Sequence, residues 1–151
     1  MKTRGLSDEE EQTWRALQLM QMRLSAELAR QLADDSNLSY PDYIVLVALS
    51  AQPSGRIRML ELAKLIGWEK SRLSHHVGRM GERRLIVREQ CDSDRRGAYV
   101  AITPQGRHDL EMATPGHVDA VRRLFIDQLT REELAVIRHA SEATLARLEA
   151  T

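Results

Sequence analysis

The chain has 151 residues, and its 22 Lys and Arg balance 22 Asp and Glu, for a formal net charge of zero. Hydrophobic residues make up 42% of the sequence and charged residues 29%, which is typical of one globular domain with a modest core and excludes a disordered chain. No apolar run approaches the roughly 20 residues of a membrane-spanning helix, and the acidic start lacks the apolar stretch of a secretory signal, so we expect a cytoplasmic protein.

The N-terminal third predicts two helices. Ser7 is followed by Asp8, Glu9 and Glu10, a pattern typical of a helix start, and apolar residues then recur at helical spacing to about Ala33. The segment from Ser39 to Asp42 matches a capping box with proline in the first turn. The run 43–49 that follows is apolar nearly all round, which predicts a buried helix.

Residues 58–83 predict a helix-turn-helix. A short helix ends at Gly67, and a second helix over about 69–83 has two distinct faces. Leu73, Val77 and Met80 form an apolar stripe that should pack inward. The other face is polar and short in side chain, with basic edges. In such a motif the second helix lies in the major groove of DNA.

The C-terminal half predicts a hairpin followed by two helices. The β-branched runs 85–89 and 99–103 flank a loop that carries adjacent arginines, which is the pattern of a hairpin wing. Thr103 and Pro104 begin a helix that Pro115 and Gly116 are expected to interrupt or kink. A last helix begins with a capping box at Thr130. The expected fold class is therefore mainly α with a small β-hairpin wing.

The charge is distributed unevenly along the chain. Residues 56–107 hold 12 basic and 6 acidic residues, whereas 1–55 and 108–151 each hold 5 basic and 8 acidic residues. A basic centre between acidic flanks favours a middle segment that contacts phosphate. A chance cluster on a solvated face explains the charge pattern equally well by itself.

Two segments carry a resemblance to a known family. The stretch "LAKLIGWEKSRLSHHVGRMGERRLIVRE" (62–89) and the wing "DSDRRGAYVAITPQG" (92–106) resemble the MarR family of winged-helix transcription regulators, and the likeness extends over nearly the whole chain. The wing is the most specific part. The chain departs from the family pattern at Arg84, where glycine is frequent, at Trp68, where a smaller apolar residue is usual, and at the adjacent His75 and His76.

The resemblance implies a homodimer that binds a palindromic operator and acts as a repressor. Residues 7–35 and 104–151 would form the dimerisation helices, and 40–103 the winged helix-turn-helix domain. It further implies a small phenolic or aromatic carboxylate effector in a cleft between the dimer arm and the winged domain. Candidate residues for that cleft are Met20, Tyr43, Val47 and Trp68, although core packing explains Met20 and Val47 equally well.

The DNA contacts expected from this arrangement fall into three groups. The first group reaches phosphates from the recognition helix and comprises Lys70, Arg72 and Arg79, and the second is placed for base edges and comprises Ser71, Ser74 and His75. In the wing, Arg88 and Arg95 should touch phosphate or brace the hairpin. Arg96 is expected in the minor groove, with its guanidinium held by Asp94; the alternative is a surface ion pair of little consequence.

Other chemistry finds little support in the sequence. There is no nucleophile motif, phosphate-binding glycine loop or acid pair in a recognisable context, so we expect no enzyme and no cofactor. The histidines lack the spacing of a metal site, and Cys91, the single cysteine, is expected to be a quiet strand residue. The alternative function is a winged-helix interaction module or architectural DNA binder without ligand response.

Overall fold

A computed structural model of the chain describes residues 5–90 and 97–151. These residues form six α-helices and three strands. The elements, in chain order, are α1 (Asp8–Asp35), α2 (Tyr40–Ser50), β1 (Arg56–Arg58), α3 (Met59–Ile66), α4 (Lys70–Glu82), β2 (Ile86–Gln90), β3 (Ala98–Ile102), α5 (Pro104–Leu124) and α6 (Arg131–Glu149), with a short 3₁₀ turn (Ile126–Gln128) before α6. The expected fold class, mainly α with a small hairpin wing, is confirmed.

The helix starts follow the local sequence signals. Ser7, Ser39 and Thr130 each accept a hydrogen bond from a backbone N–H three residues on, and the acidic side chain at that position bonds back to the cap. Such caps stabilise a helix by about 1 kcal/mol each. All three predicted helix starts are therefore confirmed.

The core lies between α2 and the winged-helix elements. Its fully buried side chains come from every layer of the fold and include Leu32, Leu46, Leu62, Leu73, Val77, Met80, Leu85 and Val100. Helix α2 supplies Val45, Leu46 and Leu49 to this core, as its continuous apolar sequence predicted, although Val47 is 41% exposed. The apolar side of α4 and α2 therefore share one core, which fixes the position of α4.

The wing is part of a three-stranded antiparallel sheet with the order β1-β3-β2. Strand β1 was not expected from the sequence. It pairs Ile57 with Val100 of β3, while Arg88 of β2 pairs with Val100 from the other side. Three residues are too few to display the alternating pattern by which a strand is recognised.

The base of the wing is locked to the start of α5. Thr103 Oγ1 donates to the Arg84 carbonyl at 2.7 Å and accepts from the Gly106 N–H at 2.9 Å. A Cβ at Gly106 would lie 2.2 Å from the Leu85 carbonyl oxygen, so only glycine fits there. Arg84 has φ of 62°, the left-handed conformation that glycine adopts more easily, and it keeps a glycine-like turn without being glycine.

Helix α5 runs through Pro115 without a break, so of the two outcomes expected there, an interruption or a kink, the interruption was wrong. Pro115 is exposed, and the carbonyl it leaves without a helical partner belongs to Glu111, which is also exposed and open to water. On either side of the proline, Ala113 and His117 are buried. Burial of that face holds the helix together across the missing hydrogen bond.

Candidate nucleic-acid interface

Helix α4 presents one polar face to solvent. Leu73, Val77 and Met80 are fully buried, which confirms the predicted inward stripe. The residues on the opposite side are all exposed: Lys70, Ser71, Arg72, Ser74, His75, Gly78 and Arg79. No acidic residue stands between Lys70 and Gly81, and Glu82, the acidic residue of α4, lies at the helix end, so most of this face is basic. We call these seven residues the α4 face.

Arg88 ties the wing to the α4 face. Its Nη2 donates to the Ser74 Oγ at 2.7 Å and to the Ser74 carbonyl at 2.8 Å. Of the two roles expected for Arg88, bracing the wing is therefore the one with a visible partner. The Ser74 hydroxyl accepts from Arg88 and keeps its own proton for donation outward.

A buried carboxylate anchors α4 to the start of α2. Asp42 is 1% exposed, and its Oδ2 accepts from Arg83 Nη1 at 2.6 Å and from the Ser39 N–H at 2.9 Å. Arg83 also donates to the Asn37 carbonyl in the segment between α1 and α2. Burial raises the pKa of Asp42, but the hydrogen bonds and charge of Arg83 and the Ser39 bonds outweigh it, and the pKa lies below its ordinary value.

His76 extends this anchor along α4. Its Nε2 lies 2.9 Å from Asp42 Oδ1, although without the alignment of a hydrogen bond, and its Nδ1 lies 3.1 Å from Arg79 Nη2. Burial lowers the pKa of His76, and the charges of Arg79 and Arg72 act in the same direction against the attraction of Asp42. A neutral ring therefore accepts from Arg79 at Nδ1, and its Nε2 lies beside Asp42 without donating to it.

Trp68 lies beside this helix, at the turn between α3 and α4. Its ring meets the His76 ring edge-on, with centroids 5.5 Å apart, and the Arg72 guanidinium carbon lies 4.2 Å from the Trp68 ring centroid. Both contacts are with residues of α4. The family resemblance had placed Trp68 in an effector cleft, and the stacking of Trp68 with His76 and Arg72 was not predicted.

A second basic cluster lies on the sheet, and it was not predicted from the sequence. Arg56 and Arg58 of β1 lie over the Tyr99 ring, at 4.2 and 5.3 Å from its centroid, and Arg58 Nε donates to the Tyr99 hydroxyl at 3.2 Å. Arg56 also lies 3.2 Å from the Glu89 carboxylate. Without β1 in the predicted fold, nothing in the sequence placed these arginines on the wing.

The remaining wing predictions fall on other residues. Asp94, Arg95, Arg96 and Cys91 lie outside the described residues. Their expected roles therefore stay predictions.

The four candidate effector residues have different surroundings. Met20 lines a shallow cavity with Leu24 and the end of α5, including Phe125. Tyr43 is buried, and its ring lies 4.4 Å from that of His117, whereas Trp68 contacts His76 and Arg72. The structure thus brings Trp68 to the α4 face and gives the four residues no common cavity among those described.

Both terminal helices leave apolar side chains in solvent. On α1 these are Trp14, Leu17, Leu19, Met20 and Met22, between 36% and 63% exposed, and on α6 they are Val136, Ile137, Leu145 and Leu148, between 39% and 68% exposed. None of the residues of α6, all of which are described, is buried. Exposed apolar side chains along a whole helix are typical of an interaction surface, so this face of α6 is suited to be covered by a partner.

Two further classes of site have no counterpart in the described residues. Within 5–90 and 97–151, no three His, Cys, Asp or Glu side chains are grouped to hold a metal ion. Over the same residues, no helix combines the length and apolar character needed to cross a membrane.

The chain is similar to known regulators. A family model described as MarR family matches residues 36–97. Transcriptional regulator HosA of Escherichia coli is 31% identical over 97 residues, which cover 64% of this chain and 70% of HosA. The crystal structure of AbsC, a MarR family transcriptional regulator from Streptomyces coelicolor, is 37% identical, covers 99% of this chain and 100% of AbsC, and has a TM-score of 0.89. Sco3205 from the same organism, a MarR family transcriptional regulator solved in complex with DNA, is also 37% identical, with 95% and 94% coverage and a TM-score of 0.89.

Proposed function

The chain belongs to the MarR family of winged-helix transcriptional regulators, and from that premise we propose that it is a repressor that binds a palindromic operator as a homodimer and responds to a small aromatic effector. The observation that carries this proposal is the α4 face. Its exposed serines and histidine are short enough to approach base edges, and Lys70, Arg72 and Arg79 flank them as phosphate contacts. A helix held this firmly on its apolar side is suited to lie in a major groove.

The uncovered helices support the homodimer. The chain itself offers nothing to bury the apolar side chains of α6 within the described residues, and a second copy supplies α1 and α6 surfaces of the same kind. A two-fold dimer presents two α4 faces, and two such faces match half-sites about one helical turn apart, roughly 10 base pairs. The operator is therefore proposed to be palindromic.

The division of labour follows from the same arrangement. Residues 40–103 would carry the DNA contacts, and 7–35 with 104–151 would hold the two copies together. A dimer that occupies an operator beside a promoter excludes other proteins from that DNA, which is the basis for proposing a repressor. Within the wing, Arg96 is proposed to enter the minor groove with Asp94 fixing its guanidinium, and Arg95 to touch phosphate.

The effector is proposed to act between the dimer arm and the winged domain. Met20 lies on α1, Tyr43 packs from α2 against His117, and Val47 is exposed on α2 where a second copy or a ligand can contact it. A ligand changes DNA affinity only by its different affinity for the two dimer forms. Titrating salicylate-like aromatics against the DNA complex tests this, and unchanged DNA affinity at saturating occupancy would refute the response.

Selection of bound duplexes from a random DNA pool tests the central proposal. We expect recovered sequences to share two inverted half-sites, and the selected duplex to keep the protein in the presence of excess random DNA. Recovery of unrelated sequences bound with equal affinity would instead identify an architectural DNA binder or interaction module. Light scattering on the free protein measures the dimer independently of DNA.

A further inference from the structure

Trp68 has a backbone position fixed by the end of α3. Gly67 ends that helix in the left-handed conformation, with φ of 71°, and the Trp68 N–H donates to the Ala63 carbonyl at 3.0 Å. The indole is half-buried and packs against the hydrophobic core. The turn between α3 and α4 therefore holds the root of this side chain still.

The ring itself is fixed by His76. The two rings meet at 80°, the edge-to-face arrangement that aromatic pairs favour. His76 is 8% exposed and is held on its other sides by Asp42 and Arg79. With one side packed on the core and another on a buried ring, the indole has little freedom to rotate.

Arg72 lies on the solvent side of this fixed ring. Its guanidinium carbon is 4.2 Å from the ring centroid, within the range of a cation–π contact. Such a contact uses the flat face of the guanidinium and leaves its edge N–H groups free to bond a phosphate or a guanine. Arg72 is exposed on the α4 face, so its guanidinium is accessible on the surface where DNA is proposed to lie.

We propose that Trp68 is a positioning residue for DNA binding: it holds the Arg72 guanidinium in the geometry in which Arg72 contacts DNA. This inference rests on the proposed function. An unrestrained arginine loses much rotamer freedom when it binds, whereas an arginine already stacked on a rigid indole loses less. The large aromatic residue at position 68 thus serves the DNA surface and not an effector cleft.

A double-mutant cycle tests the coupling. Trp68→Leu keeps apolar bulk without a π face, Trp68→Phe keeps a π face, and Arg72→Ala removes the cation. The affinity of each variant for the selected duplex is measured by fluorescence anisotropy across a salt series, and its melting temperature is recorded. A parallel cycle pairs Trp68→Leu with Lys70→Ala, the neighbouring exposed cation on α4, as the matched control.

We expect Trp68→Leu to weaken binding by about 3- to 10-fold, the size of the ordering cost of one long side chain at an interface. The Trp68→Leu/Arg72→Ala double variant should bind no more weakly than Arg72→Ala alone, whereas the Lys70 cycle should be additive. Trp68→Leu should also lower the salt slope by up to about one unit although it removes no charge, because the Arg72 phosphate contact is lost. Trp68→Phe should retain most of the affinity.

Contrary results bear either on the positioning role of Trp68 or on the proposed function. Multiplying losses in the Arg72 cycle, or Trp68→Phe binding as weakly as Trp68→Leu, would overturn the positioning role. If Trp68→Leu also lowers the melting temperature, the binding cycle is measured at a temperature where every variant is folded, and the same results support or overturn the positioning role. Failure of the unaltered protein to prefer any duplex would refute the proposed function itself.

Discussion

Replacing Asp42 by alanine removes the acceptor that joins α4 to the start of α2. Three groups lose their partner: the Arg83 guanidinium at 2.6 Å, the Ser39 N–H at 2.9 Å and the His76 Nε2 at 2.9 Å. The Ser39 bond is half of a capping box, worth about 1 kcal/mol. A hydrogen bond to a charged group contributes about 1.5–3 kcal/mol, but the Arg83 side chain is 44% exposed and regains water, so the lower end applies.

Together these losses amount to about 2–3 kcal/mol of unfolding free energy. For a protein of this size, each kcal/mol moves the melting temperature by about 2–4 °C, which predicts a decrease of about 4–12 °C for Asp42→Ala. Asp42→Asn retains an oxygen that can accept from Ser39 and loses only the charge, so its decrease should be smaller. Both are measured by thermal unfolding at one fixed protein concentration, since a dimer's melting temperature depends on concentration.

Asp34→Ala is the matched control. It removes a carboxylate that is exposed in the last turn of α1, where negative charge is unfavourable, so its melting temperature should be unchanged or slightly higher. DNA affinity of Asp42→Ala should also fall, because α4 loses its fixed position relative to α2. A melting temperature for Asp42→Ala equal to that of Asp34→Ala would refute this account of the anchor.

Three further predictions concern other parts of the molecule. The free protein should be a dimer by light scattering, and Leu145→Glu, at a side chain of α6 that is 57% exposed in one chain, should yield monomers; a monomeric unaltered protein at micromolar concentration would contradict this. Arg96→Ala should weaken operator binding more than Arg95→Ala, and Asp94→Ala should weaken it too, whereas simple charge repulsion predicts tighter binding by Asp94→Ala, as anisotropy on one operator would reveal. The free energy of unfolding in urea should fall as the pH drops below about 6.5. Burial lowers the pKa of His117, and burial together with Arg79 and Arg72 lowers the pKa of His76 against the attraction of Asp42. The unfolded chain therefore takes up these protons at a higher pH than the folded chain does. His117→Gln and His76→Gln should each flatten that dependence, and an unchanged slope in both would show that neither histidine is responsible.

Local signals accounted for most of the fold. The capping boxes at Ser7, Ser39 and Thr130 and the apolar stripe of α4 depend on residues three or four positions apart, so a sequence displays them directly. Gly106 in the wing motif has a steric reason that the sequence does not display, namely the Leu85 carbonyl 2.2 Å from its missing Cβ. The wing motif was therefore recognisable from the sequence, whereas the steric reason for Gly106 required the structure.

The features that sequence reasoning missed join residues far apart in the chain. Arg83 and Asp42 are 41 positions apart, as are Arg58 and Tyr99, and no periodicity links such pairs. Trp68 was assigned to a ligand cleft because a large aromatic residue at a turn gives no indication of which neighbour it contacts. Pro115 was expected to interrupt or kink α5, and the continuous helix was missed because the burial that holds α5 together comes from α1 and α2, which local propensity does not include.

Arg83 connects the end of α4 physically to the junction between α1 and α2. Arg83 donates to Asp42 at the start of α2 and to the Asn37 carbonyl in the segment that follows α1, so it contacts the α1–α2 junction on both sides from the end of α4. A change in the angle between α1 and α2 must therefore either carry α4 with it or break one of these bonds. Each bond of this kind is worth about 1.5–3 kcal/mol before solvent exposure is taken into account. Coupling between two binding sites is typically about 1–3 kcal/mol, so the loss of one Arg83 bond, discounted for exposure, would be of the size that the proposed effector response requires.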